Sequence, residues 1–169
     1  IMNAALRDWG ETGRLDAVKP LIASIWLLLV SLAHMPELPL HIRRGTVYRA
    51  VNMPHYELGN FTVGETETFR AFTSCTTDKK ALRTFLQPSA GILGVHGTVF
   101  SLELTQDTGR SVEKLSLFPS EKEVLLPPNT SFEVLDIDEK YRLGDKIVHA
   151  IKCREIKSDD DVFGMAMSR

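Results

Sequence analysis

Apolar positions along the chain change their spacing near residue 40. Met2, Ala5, Leu6 and Trp9 fall on one stripe at helical spacing, and Gly10 to Gly13 ends that pattern. A second helix is predicted from Asp16 to Met35, with Pro20 in its first turn, where a missing N–H is tolerated. Pro36 and Pro39 stop helical structure. From Ile42 onward the period becomes two: Val47, Arg49 and Val51 alternate with Tyr48 and Ala50. A loop from Asn52 to about Thr66 follows, then a strand over Phe69 to Thr76. Asp78 caps a short helix from Lys79 to Leu86. Pro88 to Gly97 reads as a loop. Further strands are predicted over Thr98 to Leu104, Val124 to Leu126, Phe132 to Ile137 and Lys146 to Ile156. Helices followed by a run of short strands predict an α+β domain. The expected division is a single domain over 1–157, with a helical lobe to about residue 40, a β core over 41–157 and a frayed tail over 158–169.

Composition narrows the class. Of 169 residues, 43% are hydrophobic and 25% charged, as in a soluble globular chain. A net charge of -2 supplies no general attraction to nucleic acid. The uncharged run from Pro20 to Ala33 spans only about 21 Å as a helix, too short for a bilayer, and is expected to be a core helix. The chain opens at Ile1 inside a helical pattern, as expected of a segment cut from a longer polypeptide. Cys75 and Cys153 are expected to be reduced, buried thiols. The five histidines follow neither metal-ligand nor triad spacing, so no metal is expected. The glycines between Gly91 and Gly97 do not follow a dinucleotide-binding order.

Three local features carry candidate chemistry. Glu121 and Glu123 share a face if their segment is extended, and two carboxylates there suit a site that steadies a developing cation. A solvated acidic turn would give the same letters. Arg49 sits inside an apolar strand, and a buried guanidinium requires an anion, either a bound phosphate or a structural carboxylate. Phe72, Ser74 and Thr76 share one side of a strand, where hydroxyls commonly satisfy only local backbone.

In chain order these features resemble the Arg, Ser and Glu motifs of mono-ADP-ribosyltransferases, especially the arginine-specific group with the clostridial binary-toxin enzymes and vertebrate ecto-transferases. Thr46-Val47-Tyr48-Arg49 resembles the first motif, Phe72-Thr73-Ser74-Cys75-Thr76 the second, and Phe118 through Pro128 the third. Asn3-Ala4-Ala5-Leu6-Arg7 resembles the helical element before the first motif.

The resemblance implies a split β-sandwich with an N-terminal helical lobe, NAD as co-substrate and no metal. It implies Glu123 as the catalytic glutamate and Glu121 as the glutamate that engages an acceptor arginine. It further implies Arg49 on the NAD phosphates, Ser74 bracing the glutamate side, and Phe85 packing on nicotinamide. Ala50 and Thr76 would line the same pocket, and Arg7 would be a second phosphate contact. Thr105 to Ser120 corresponds to the substrate-recognition turn, whose mobility would be functional.

Three positions depart from the family pattern: Ala50 replaces a common Gly, Cys75 a usual Ser or Thr, and Thr76 a frequent Ser. The expected activity is transfer of ADP-ribose to arginine side chains of a target protein. An NAD glycohydrolase and an inactive NAD- or protein-binding module are the alternatives. Nucleic acid is a disfavoured partner, and a monomer is the default. The bracing cysteines of extracellular members are missing, which favours a cytoplasmic protein or a secreted effector.

Overall fold

The computed structural model describes residues 1–86 and 95–157. Helix α1 spans Met2–Thr12 and ends on Gly13, whose φ of 71° is open to a residue without a side chain. A 3₁₀ turn over Lys19–Leu21 contains Pro20 and leads into α2, Ile22–Ala33. The second helix is therefore shorter than the predicted Asp16 to Met35.

It is also a core helix on one face only. Only Leu32 and Ala33 of α2 are buried, while Ile22, Trp26 and Leu27 face outward. Ile25, Leu28, Leu29 and Val30 are partly buried against the same core as Leu32 and Ala33, so the uncharged run is covered along one face. Leu6 of α1 joins Leu32, Ala33, Ala71 and Phe72 in a small core beneath the helices. Among the described residues, no helix is long and apolar enough to cross a membrane.

The remaining elements are α3 (Leu40–Arg43), β1 (Thr46–Pro54), α4 (His55–Leu58), β2 (Thr66–Phe69), β3 (Thr73–Thr76), α5 (Leu82–Phe85), β4 (Val95–Glu103), β5 (Arg110–Ser111), β6 (Glu123–Leu126), β7 (Thr130–Leu143) and β8 (Lys146–Glu155). The predicted strand over Phe69 to Thr76 is two strands belonging to different parts of the sheet. The predicted loop after Asn52 contains α4 and the start of β2. The predicted loop from Pro88 falls largely on residues 87–94, outside the described residues, as does the tail over 158–169.

Among the described residues, eight strands run in the order β2-β7-β8-β4-β1-β3-β6-β5. That order forces the sheet to fold back on itself. Five inter-strand steps separate β2 from β3, about 24 Å if the sheet were flat. Only Arg70, Ala71 and Phe72 connect them, and a link of that length reaches at most about 14 Å. The fold-back lets Phe69 of β2 stand 5.7 Å from Phe100 of β4 and 5.3 Å from Phe132 of β7, ring centre to ring centre. The main core lies inside it, with Val47, Leu102, Val124, Leu126, Phe132, Val134 and Ile151.

One junction in the sheet is weak. β1 and β4 are paired from Thr46–Glu103 to Pro54–Val95, whereas β1 and β3 meet only at Tyr48–Thr76. Beyond that pair the two strands part, and the candidate site lies at the parting.

Candidate active site

The parting of β1 and β3 opens a cleft of about 230 Å³ lined by Tyr48, Arg49, Ala50, Ser74, Cys75, Thr76, Phe85, Glu121 and Glu123. Three strands supply its floor through register: Tyr48 pairs with Thr76, and Thr76 with Glu123. Residues from three separate motifs are thus brought to one wall. Seven of the nine lining residues, all but Tyr48 and Cys75, are site residues expected from the sequence. Cys75 contributes as the residue between Ser74 and Thr76.

Arg49 is half-buried, and its Nη1 donates to the backbone oxygen of Ser74 at 2.9 Å. Among the described residues no carboxylate lies within ion-pair distance of it, which removes the structural Arg–carboxylate pair left open by the sequence. Burial pulls the guanidinium below its ordinary value, and the positive charge of Arg7 acts in the same direction while Cys75 opposes it. Arg7 itself does not line the cleft. It is carried near Arg49 by α1, whose Asn3 Nδ2 donates to the carbonyl of Phe72 at 3.0 Å. Two neighbouring guanidiniums without a carboxylate between them favour a bound anion.

The two glutamates reach the cleft differently from the extended geometry expected. Glu121 closes a 3₁₀ turn over Pro119–Glu121, and Glu123 opens β6. Between them Lys122 takes a left-handed conformation with φ 47° and ψ 52°. That conformation costs a non-glycine residue about 1–2 kcal/mol. Its surroundings compensate: Thr76 Oγ1 donates to the carbonyl of Glu121 at 2.5 Å and accepts from Asp78 N at 2.9 Å. Thr77 N donates to the carbonyl of Lys122 at 3.3 Å. Thr76 is therefore buried beneath the turn, while Ser74, two residues away on the same side, stays exposed to the cleft. Phe72 lies outside β3 and packs into the helical core rather than the site.

The Cys75 thiol is pushed up to about 12, chiefly by burial, with the charge of Glu123 acting in the same direction against that of Arg49. It is a neutral packing group at the cleft floor. Phe85 projects from α5 with its ring partly exposed. That four-residue helix is held from behind by the β7–β8 turn. Arg83 Nη2 meets Asp145 Oδ1 at 2.6 Å, and Lys146 Nζ donates to the carbonyl of Leu86 at 2.5 Å. Lys79 lies over the rings of Tyr48 and Tyr141, 5.7 and 5.2 Å from their centres. Tyr48 and Lys79 were absent from the site expected from sequence, although Tyr48 precedes Arg49 in the first motif. Among the described residues no group of three or more His, Cys, Asp or Glu is placed to hold a metal ion.

Comparison with known proteins bears on the fold and the family of the chain. The profile of a family described as NAD:arginine ADP-ribosyltransferase matches residues 17–151. The Mycobacterium avium (strain 104) protein Mav, provisionally named as an NAD(+)–arginine ADP-ribosyltransferase, is 31% identical over 151 residues, covering 89% of this chain. The chain spans only 16% of Mav's length. Among solved structures, the ADP-ribosyltransferase Vis in complex with agmatine superposes with a TM-score of 0.66 at 21% identity, covering 92% of this chain and 69% of that one. The Vis toxin from Vibrio splendidus gives a TM-score of 0.64 at 24% identity, covering 93% of this chain and 66% of that one. The ATR domain of Salmonella SpvB gives 0.61 at 20% identity, over 93% and 86% of the two chains. These likenesses establish the α+β fold. The matched span runs through Arg49, Ser74, Glu121 and Glu123, which line one cleft, and the chain belongs to the NAD:arginine ADP-ribosyltransferase family.

Proposed function

We propose that this chain transfers ADP-ribose from NAD to arginine side chains of a target protein and releases nicotinamide. The observation that carries the reading is the convergence of Arg49, Ser74, Glu121 and Glu123 on one cleft, with Arg49 in no carboxylate ion pair among the described residues.

The diphosphate of NAD would bind Arg49, with Arg7 as a second cation. Phe85 would pack against nicotinamide, and Ala50, Ser74 and Thr76 would bound that part of the pocket. The cleft encloses only the reacting end of so large a molecule. When the bond between nicotinamide and ribose breaks, its electron pair leaves with nicotinamide and positive charge develops on the ribose. The Glu123 carboxylate, fixed by the pairing of β6 with β3, would stabilise that charge and hold the ribose 2′-hydroxyl. Ser74 would brace this side of the site. The acceptor guanidinium nitrogen would then bond to the ribose carbon and give up a proton, with Glu121 pairing with the guanidinium and taking that proton.

The segment before Glu121 supports a protein acceptor. Leu115, Leu117 and Phe118 are exposed, Leu117 at 91%, and lead directly into the turn that ends at Glu121. Such an apolar edge beside the acceptor carboxylate suits the surface of a folded target. The net charge of -2 makes nucleic acid the less favoured acceptor. A cytoplasmic protein or a secreted effector is the proposed setting, with a monomer as the working state.

The test is incubation with NAD labelled on the adenosine side, with and without agmatine. Label on agmatine with free nicotinamide supports the transferase. Nicotinamide release with no labelled agmatine gives the glycohydrolase reading. Saturable NAD binding without cleavage gives the inactive module.

A further inference from the structure

The segment Thr105 to Ser120, whose likeness to a substrate-recognition turn implies a functional mobility, is tied down over its first third by two buried charges. Glu155, at the end of β8, is only 3% exposed. Its Oε2 accepts from the backbone N–H groups of Thr105 and Gln106, both at 2.8 Å, while Thr105 Oγ1 donates to the Glu155 carbonyl at 3.0 Å. Arg110 is 6% exposed. Its Nη1 donates to the carbonyls of Asp107 and Gly109, both at 2.8 Å, and lies 3.5 Å from Asp107 Oδ1. Asp107 is also 3.8 Å from Arg43 of α3, which pairs with Glu37 at 2.6 Å. Gly109 lets the backbone press on the core, because a Cβ there would stand 2.9 Å from Val124 and 3.0 Å from Leu38. Burying two charges costs several kcal/mol apiece unless their partners are well placed, so the chain invests heavily in fixing residues 105–110.

The fixed turn is connected to the site by short backbone bonds. Arg110 and Ser111 form β5 against Leu125 and Val124 of β6. Val112 N donates to the carbonyl of Glu123 at 3.0 Å, and the carbonyl of Val112 accepts from Leu115 N and Ser116 N, both at 2.9 Å. Phe118 N donates to Ser116 Oγ at 3.1 Å, and Glu121 N to the carbonyl of Phe118 at 3.0 Å. The supports of the two glutamates are unequal. Glu123 is also held by the four-residue ladder between β6 and β3, whereas Glu121 is held by this relay and the Thr76 hydroxyl.

We propose that Arg110 is a positioning residue for the acceptor step: it anchors the relay that sets Glu121, and so governs capture of the acceptor more than cleavage of NAD. The proposal rests on the transferase reading of the same cleft. Arg110 does not line the cleft and touches no reacting atom.

The test compares Arg110→Met and Arg110→Lys with wild type, using agmatine as acceptor. Arg110→Met is expected to raise the KM for agmatine roughly tenfold while NAD hydrolysis without acceptor stays within about twofold. Arg110→Lys keeps the positive charge and a donor for the Asp107 and Gly109 carbonyls, and is expected to fall between Met and wild type. Parallel loss of transfer and hydrolysis, no change in either, or a Lys variant no better than Met overturns the proposal. If Arg110→Met does not fold, Arg110→Lys alone decides by the same split against wild type.

Amide hydrogen exchange on the wild-type protein gives a readout independent of activity. Thr105, Gln106 and Val112 are expected to exchange far more slowly than Glu113 and Lys114; equal rates refute the anchor. An inactive wild type with these amides protected refutes the transferase reading and leaves the anchor standing.

Discussion

Glu121 and Glu123 are two residues apart in sequence but belong to different structures, one to a 3₁₀ turn and the other to a strand paired on β3. Thr76 is where the two supports meet, since its hydroxyl holds the turn and its backbone pairs with Glu123. Replacing Thr76 with Val keeps the shape and removes the hydroxyl. That change is expected to lower transfer to agmatine more than NAD hydrolysis, a ratio measurable in one labelled-NAD assay. Arg49 carries a different burden. Arg49→Ala removes the charge proposed for the NAD phosphates together with the bond to the Ser74 carbonyl. The KM for NAD is expected to rise about 10- to 100-fold, the usual range for losing hydrogen bonds to a charged group. A KM within twofold of wild type, again on the scale of such losses, would detach Arg49 from NAD binding.

At the scale of elements, the sequence displayed the chemistry better than the geometry that delivers it. Arg49 was legible because an apolar strand has little use for a guanidinium. Ser74 and Glu123, each readable as an ordinary polar residue, stood out only through their order with Arg49 along the chain. The left-handed Lys122 was not legible, since lysine carries no signal for positive φ and its conformation is imposed by Thr76 and Thr77 from a distant strand. The two-residue strand β5 was invisible for the same reason: it exists through pairing with Leu125 and Val124 of β6, after a turn that the distant Glu155 holds at Thr105 and Gln106. Likewise Phe69 to Thr76 has continuous strand character, and only pairing partners show that it serves two parts of the sheet. The short helix α5 illustrates support from behind. Arg83→Ala removes its tie to Asp145, and the expected result is a raised KM for NAD through Phe85 with kcat little changed, checked by steady-state kinetics.

Considered as a whole molecule, the fold turns on a link of three residues that makes one sheet close over its own core. The lobe carrying Arg7 is fastened to that sheet through Leu6, Phe72 and the Asn3 bond. The outward apolar side of α2 was unforeseen because an uncharged helix reads the same whether one face or all faces are covered. Two thiols lie inside the sheet. Both Cys75 and Cys153 are raised from 9.0 to about 12, chiefly by burial. Folding therefore disfavours their ionised forms. Their contribution is complete below pH about 9, and stability falls as pH rises toward about 12, because only the unfolded chain readily releases these protons. Urea midpoints measured across that window are expected to fall less steeply for the Cys75→Ala, Cys153→Ala double variant than for wild type.

The central claim is that two glutamates in one cleft have separate tasks, and one comparison tests it most directly. Wild type, Glu121→Gln and Glu123→Gln are given labelled NAD with agmatine, and labelled agmatine and free nicotinamide are counted in the same reaction. Glu123→Gln is expected to lose both products by about 100-fold or more, as for loss of a transition-state electrostatic group. Glu121→Gln is expected to lose labelled agmatine while still releasing nicotinamide. A Glu121→Gln variant that labels agmatine as well as wild type, or a Glu123→Gln variant that still cleaves NAD at the wild-type rate, would contradict the account.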